Sequence, residues 1–488
     1  MQKPLSTDLG QNLADLNEMF GSSMDLYTKR LCIQGVQCAV CMFDGLSSTE
    51  KLWVILLDAL SRPEGQKANG WQLYQHILHG TDIPAESGEV ADFEELVRRL
   101  TAGMAVLLLD GSCKAIALST QNMQARSVQE PSGEGNIRGS REGFTDLLRI
   151  NVSLLRRLIR RESFAIELLS AGERTNTEVV LCYDKAMARP ELVASVRQKL
   201  QSAKLPLVLD SGYLAPFLQK SGFGFFSEVG YTERPATACA KICEGKLVVL
   251  VNGSPFAMVL PYFFTEHFQS LDDYASKAYF CSFIRLLKYL AFALAVLLPG
   301  SFVCAVQYTP ELLPPQLLYK VAAAERATPW PLFLEMVLVI LLLEIIREAG
   351  LRLPKPIGHS VGLVAALIVG DAAVGAGILS TPVLIIAALT SISTFVIPSL
   401  YEPVTVLRIL FVFAGGMLGP AGMVALFVVM LFSVCGMESF GYPYTSPLAP
   451  FGRGSVRDGV LRVSLKSLAR HPFEIGDLPG GEGQDAEP

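Results

Sequence analysis

Charge is scarce over one long stretch of this chain, residues 289–437. Within it the runs 290–306, 331–346, 357–370, 381–397 and 409–437 carry almost none, and the interruptions between them are short. A span needs ~20 mostly apolar residues to cross ~30 Å of hydrocarbon, and lipid satisfies no backbone hydrogen bond. These runs therefore read as membrane helices packed on one another. A mean hydropathy of +0.38 with 18% charged residues is high for a wholly soluble protein of 488 residues, and the excess sits in the second half.

Other absences narrow the field. The net charge of -5 and the lack of any sustained basic face argue against a nucleic-acid partner. The polar start, Met1-Gln2-Lys3-Pro4, shows no secretory apolar region, so the first ~280 residues are expected on the cytoplasmic side. The ten cysteines are scattered, many inside apolar runs, which suits reduced buried thiols better than a disulfide framework. Cys38-x-x-Cys41 has the spacing of a redox pair or half a zinc site, with Cys239 and Cys243 as the other half, but it lies in an apolar run and reads first as core. There is no G-x-S-x-G, H-E-x-x-H or Walker A sequence. Gly133, Gly135 and Gly139 lack both the feeding strand and the spacing of a nucleotide loop, and His76-x-x-His79 has no cysteine nearby. No catalysis, cofactor or metal is expected.

What is present divides into parts. The sequence reads as an α/β cytoplasmic region of two small subdomains (1–130 and 131–260), an interfacial aromatic segment (261–288), an all-α polytopic membrane domain (289–440) and a cytoplasmic tail (441–488). In the first subdomain 31–43 alternates like a strand and Ser47-x-x-Glu50 opens a helix over 52–60. A second helix covers 93–100, and strands 105–109 and 115–118 form a hairpin at Asp110-Gly111. After a polar linker, residues 143–161 form a basic amphipathic helix. Its Arg149, Arg156, Arg157 and Arg160 read either as a solvated face or as a docking surface for phosphate, lipid headgroups or a partner. Strand 178–183, helix 190–200, strand 205–209, helix 213–219 and strands 246–251 and 256–260, turned by Asn252-Gly253, complete the second unit.

In the membrane half, Arg285 and Lys288 precede the first span, and Arg347, Arg352 and Lys355 follow the second, which places that loop inside. A single crossing by 409–437 would strand the basic tail (Arg453, Arg457, Arg462, Lys466, Arg470) outside. The run is too long for one span, and Gly415-Gly416 with Gly419-Pro420 breaks it midway, so these four are the candidate hinge of a broken or re-entrant hairpin. A charge at the bilayer centre costs at least ~2.5 kcal/mol, so the acidic residues of the block are candidate pore or ion-path positions: Glu344 first, then Glu335, Glu348 and Asp371. Glu335 and Glu344 are nine residues apart, about 180° around a helix of 3.6 residues per turn, and cannot line one wall. Glu344 and Glu348 share a face, where a ring of carboxylates would favour cations, although Glu348 reads first as a partner of Arg347 or Arg352.

The motif 136–144 (Asn-Ile-Arg-Gly-Ser-Arg-Glu-Gly-Phe), Leu155-Arg156-Arg157, Thr232-Glu233-Arg234-Pro235, Glu244-Gly245-Lys246, Asn252-Gly253-Ser254-Pro255-Phe256, the run 347–354, Phe395-Val396-Ile397-Pro398-Ser399 and the closing 443–451 resemble, in order, the GerA spore germination family. Those proteins are germinant-receptor A subunits and the related stage V sporulation protein AF. The resemblance implies residence in the endospore inner membrane, assembly into ring-shaped homo-oligomers that conduct ions, and receptor B and C subunits as partners alongside membrane lipid. Asp371, Gly375 and Thr381 depart from the family pattern, which more often has Gln, Glu and Pro there. Against the channel stand a secondary permease, expected to show two related halves that the sequence does not display, and a scaffold that recruits germination proteins.

Overall fold

The computed structural model describes residues 3–449 except 22, 51, 53–68, 80–86, 121–130, 132, 136–138, 221–223 and 354–367. Beyond these it describes residues 458–464, 466, 470 and 474–478. Helix α1 (Leu9–Phe20) starts where the Asp8 side chain accepts the Gly10 N–H and stops at Gly21, whose φ of 61 is left-handed. The hairpin β1 (Leu26–Ile33) and β2 (Val36–Phe43) follows, then α2 (Gly70–His79), β3 (Ser87–Val90), α3 (Phe93–Thr101), β4 (Ala105–Leu109) and β5 (Ala115–Leu118). The strands make a five-stranded antiparallel sheet in the order β1-β2-β4-β5-β3. Leu9, Leu16, Phe93 and Leu100 cover one face, and Leu73, Tyr74 and Ile77 the other.

The second unit repeats this plan. Helix α4 (Leu148–Leu158) precedes the hairpin β6 (Phe164–Ala171) and β7 (Thr177–Asp184). Then come α5 (Pro190–Ser202), β8 (Gly230–Thr232), α6 (Pro235–Cys243), β9 (Leu247–Val251) and β10 (Ala257–Leu260). The sheet order β6-β7-β9-β10-β8 is the first sheet's order element for element. The α/β half is thus a structural duplication that no sequence periodicity announced.

Several expectations change. The single strand over 31–43 is a hairpin turned at Gln34-Gly35, both at positive φ (50 and 82), a turn without the usual Asn-Gly signature. Residues 205–209 form no strand. A strand with no counterpart in the sequence reading, β6, pairs with β7 on the side opposite β9, and its outward Leu168 blurs the alternation. The β4–β5 connection is longer than two residues. The basic helix begins only at Leu148, because the Asn151 side chain folds 145–147 back, accepting the Thr145 N–H at 2.8 Å and donating to the Thr145 carbonyl at 2.6 Å. The helix expected over 52–60 lies outside the described residues apart from Leu52.

In the helical half, α7 (Ala278–Tyr308) and the stretch Pro398–Gly436 are long and apolar enough to cross a membrane. Between them lie α8 (Pro315–Arg326), α9 (Leu332–Arg352) and α10 (Thr381–Phe395), while most of the expected third span falls outside the described residues. Pro398–Gly436 is not one rod. Helix α11 (Tyr401–Phe413) passes into a π-helical turn, Ala414–Leu418, and reverses at Gly419 (φ 62) into α12 (Gly419–Gly436). The Tyr308 hydroxyl donates to the Gly416 and Met417 carbonyls at 3.0 and 3.2 Å, so the tip of this hairpin sits against the far end of α7. At ~1.5 Å per residue, Tyr401–Leu418 and Gly419–Gly436 each reach ~27 Å, close to a bilayer core.

Candidate functional site

The α/β half meets the helices at 261–274. The interfacial segment 261–288 was expected to lie among headgroups, but in this first part of it Phe263, Thr265, Glu266, Phe268 and Asp273 are buried in protein, while Tyr279, Phe280 and Phe283 are exposed. At its centre Glu266 pairs with both Lys241 of α6 and Lys246, and also accepts the Phe263 N–H at 2.9 Å. Lys246 is fully buried, donates to the Pro261 carbonyl at 3.1 Å and stands 4.3 Å from the Phe263 ring centroid. Burial lowers its ammonium to about 8 despite Glu266. Burial would raise the Glu266 carboxyl, but the two ammonium groups outweigh it and hold it near 2.

His267, next along, joins three elements. Its Nδ1 lies 3.1 Å from Ser399 Oγ, just ahead of α11, and its Nε2 3.0 Å from Tyr444 Oη, just after α12. Burial depresses the imidazole to about 4, so it bridges in the neutral form. Phe268 stacks on Tyr289 of α7 at 3.9 Å. The near ends of α7, α11 and α12 therefore converge on one short segment, which requires the α11–α12 hairpin to return to its starting side. The tail is tied there too: Arg285, buried in α7, pairs with Asp273 at 2.7 Å and Asp458 at 2.9 Å, and Arg462 donates to the Ser276 carbonyl at 2.9 Å. Ile475 N donates to the Glu244 carbonyl at 2.9 Å, which fastens the tail to the second subdomain.

The candidate ion-path residues separate. Glu335 is fully buried near the start of α9, where Oε1 accepts the Ser380 N–H beside the N-terminus of α10 and Oε2 has no partner among the described residues. Glu344 accepts from Arg347 Nε at 3.1 Å, from the Tyr401 hydroxyl and from Arg408 Nη2. Glu348 is half exposed and paired with Arg352 at 2.6 Å. Asp371 lies exposed in the π-helical turn Ile368–Ala372. Arg408 escaped the sequence reading because it sits just ahead of the apolar run 409–437. The available signal was its spacing of seven from Tyr401, which puts both on one face of α11.

The arginine face divides as well. Arg149 is exposed and reaches Asp44 at 2.6 Å, Arg157 pairs with Glu142, and Arg160 is exposed. Arg156 is not a docking residue: it is fully buried between the two subdomains. Its Nε and Nη2 donate to the Asp25 carboxylate at 2.8 and 3.1 Å, and its guanidinium lies 4.7 Å from both the Phe43 and Phe164 rings. Helical spacing shows which face a residue shares, not what covers that face. Cys38 and Cys41 belong to clusters on opposite faces of the first sheet, and burial raises both thiols to about 12, so they form no chelating pair. No group of three or more His, Cys, Asp or Glu among the described residues could hold a metal.

A family model described as Bacillus/Clostridium GerA spore germination protein matches residues 14–473. The chain belongs to the GerA family. It is 32% identical to spore germination protein KA of Bacillus subtilis (strain 168) over 99% of this chain and 90% of that one. It is 31% identical to spore germination protein GerLA of Bacillus cereus over 96% of each. Among solved structures it matches the N-terminal domain of the A subunit of the Bacillus megaterium spore germinant receptor GerK3. That match has 21% identity and a TM-score of 0.43, and covers 54% of this chain and 98% of that one. The residues that carry the GerA resemblance have visible work in the structure. Arg234 of the Thr-Glu-Arg-Pro motif is buried and holds the linker by the Glu134 and Ser140 carbonyls, while Glu233 accepts the Gly133 N–H at 3.2 Å. Lys246 of Glu-Gly-Lys anchors the junction, and Tyr444, in the closing GerA motif, is the His267 partner.

Proposed function

We propose that this GerA-family chain is a membrane subunit of a spore germination apparatus that assembles with further copies of itself into an ion-conducting channel responding to nutrient germinants. The observation that carries this reading is the convergence of α7, α11 and α12 on the buried 261–274 segment, which is continuous with the second α/β unit through Lys241 and Lys246. A displacement in the soluble half reaches the apolar helices through packed charged groups rather than through a loose linker. Germinant-receptor B and C subunits are the expected partners, with membrane lipid around the exposed Tyr279, Phe280 and Phe283. The endospore inner membrane is the expected location. The tail's ion pairs with the start of α7 support both termini on the cytoplasmic face.

In this reading Glu344, with Glu348 one turn on, lies at the inner part of the cation path. Asp371 is a vestibule charge, Glu335 braces α9 against α10, Gly415, Gly416, Gly419 and Pro420 form the hinge of the hairpin, and Arg149, Arg157 and Arg160 remain a docking face. A permease reading draws on the same break at Gly419. The duplication, however, lies in the soluble half, whereas a transporter of related halves carries its repeat in the membrane. Reconstitution of the full chain in liposomes separates the two. Cation current without saturable solute uptake supports the channel, and saturable uptake of an uncharged nutrient without current refutes it.

A further inference from the structure

Arg408 is the buried cation of the helical half that no motif announced. It is 2% exposed, and its Nη2 reaches Glu344 Oε1 across the α9–α11 contact. The guanidinium offers five N–H donors, yet its buried Nε has no partner among the described residues. Glu344 is more open, with a side chain 20% exposed, and it presents both oxygens to donors from two helices: Arg347 on its own, Tyr401 and Arg408 on α11. A carboxylate flanked by a hydroxyl, with a guanidinium seated on it, offers the oxygen ligands that a monovalent cation would use.

Resting on the channel reading above, we propose that Arg408 is a tethered cation occupying the Glu344 carboxylate, and that a free monovalent cation binds there when the guanidinium withdraws. The site takes a monovalent cation, held by Glu344 and the Tyr401 hydroxyl. Arg347, fixed to Glu344 from the same helix with its guanidinium 3.5 Å from the Tyr401 ring, orients the pair and stays in place when Arg408 leaves. Arg408 thus shuts the path by occupying the carboxylate and by adding, beside the Arg347 that already pairs with Glu344, a positive charge that repels the permeant ion.

Thallium(I) serves as the probe, on full-length protein, in two measurements. In detergent, thallium should leave the Tm of the wild-type protein unchanged, raise that of Arg408→Gln in a concentration-dependent way, and leave Arg408→Gln/Glu344→Gln unchanged. In liposomes, Arg408→Gln should pass thallium roughly tenfold faster than wild type, the change that about 1.4 kcal/mol lost from the pair produces. Arg408→Lys should stay closed, and adding Glu344→Gln should abolish the gain. No thallium-dependent Tm shift in Arg408→Gln overturns the tethered-cation site, whatever the liposomes conduct. A Glu344-dependent shift without flux in any variant leaves the site standing and refutes the channel. If Arg408→Gln does not fold, Arg408→Met is measured in the same way, and a thallium effect that survives Glu344→Gln overturns the proposal.

Discussion

Replacing Arg156 with methionine tests what joins the two α/β units. The guanidinium is fully buried and bonds Asp25 through two nitrogens, the Phe164 carbonyl at 3.0 Å and Ser23 Oγ at 3.2 Å, between aromatic rings of both units. Methionine fills much of the volume but leaves the Asp25 carboxylate, 3% exposed, with only the Ser23 hydroxyl. Removing one partner of a buried pair costs about 3–5 kcal/mol, because the other charge stays buried and unpaired. Removing both relieves that charge, so Arg156→Met/Asp25→Leu should recover most of the loss, leaving about 1–2 kcal/mol for lost hydrogen bonds. Hydrogen exchange of the detergent-solubilised chain reads this out: Arg156→Met should speed exchange in β1, β2 and β6 while α9–α12 keep their protection. A loss below about 1 kcal/mol, or a double variant as unstable as the sum of the singles, refutes an inter-unit ion-pair lock.

Gly415→Ala should lower the Tm by overpacking worth about 1–3 kcal/mol or more, because its Cβ would stand 2.4 Å from the Gly300 carbonyl oxygen, while Gly350→Ala, with nothing within 4 Å, should not. His267, held neutral near 4 against an ordinary 6.5, contributes stability fully present above pH 6.5 and lost as pH falls through 6.5 to 4. The loss is at most about 3 kcal/mol and smaller for the ring's partial exposure, and His267→Gln should flatten that part of a Tm-against-pH curve. Arg234→Ala should expose the backbone near Glu134 and Ser140 to limited proteolysis, since both carbonyls lose their guanidinium donor.

Much of the fold follows from local pattern. The apolar runs, the break at Gly419, the Asn252-Gly253 hairpin and the helix at Pro190 are each written within a few residues, where backbone preference and periodicity act directly. Errors fell where local signals were weak: a turn at Gln34-Gly35, an edge strand with an outward Leu168, and a helix start unwound by Asn151. The duplication stayed invisible because a sheet order is a pattern of pairings, which unrelated residues can satisfy.

The sequence by itself determined that an α/β region precedes apolar helices, that the last apolar run must bend, and that the chain carries GerA motifs. Only the tertiary structure decided which charges meet. Arg156 finds Asp25 across 131 residues and Glu344 finds Arg408 across 64, and in both cases packing buries the arginine of the pair. Spacing along a helix sets direction, but the partner waiting in that direction comes from another element, and the low dielectric between them is made by packing alone.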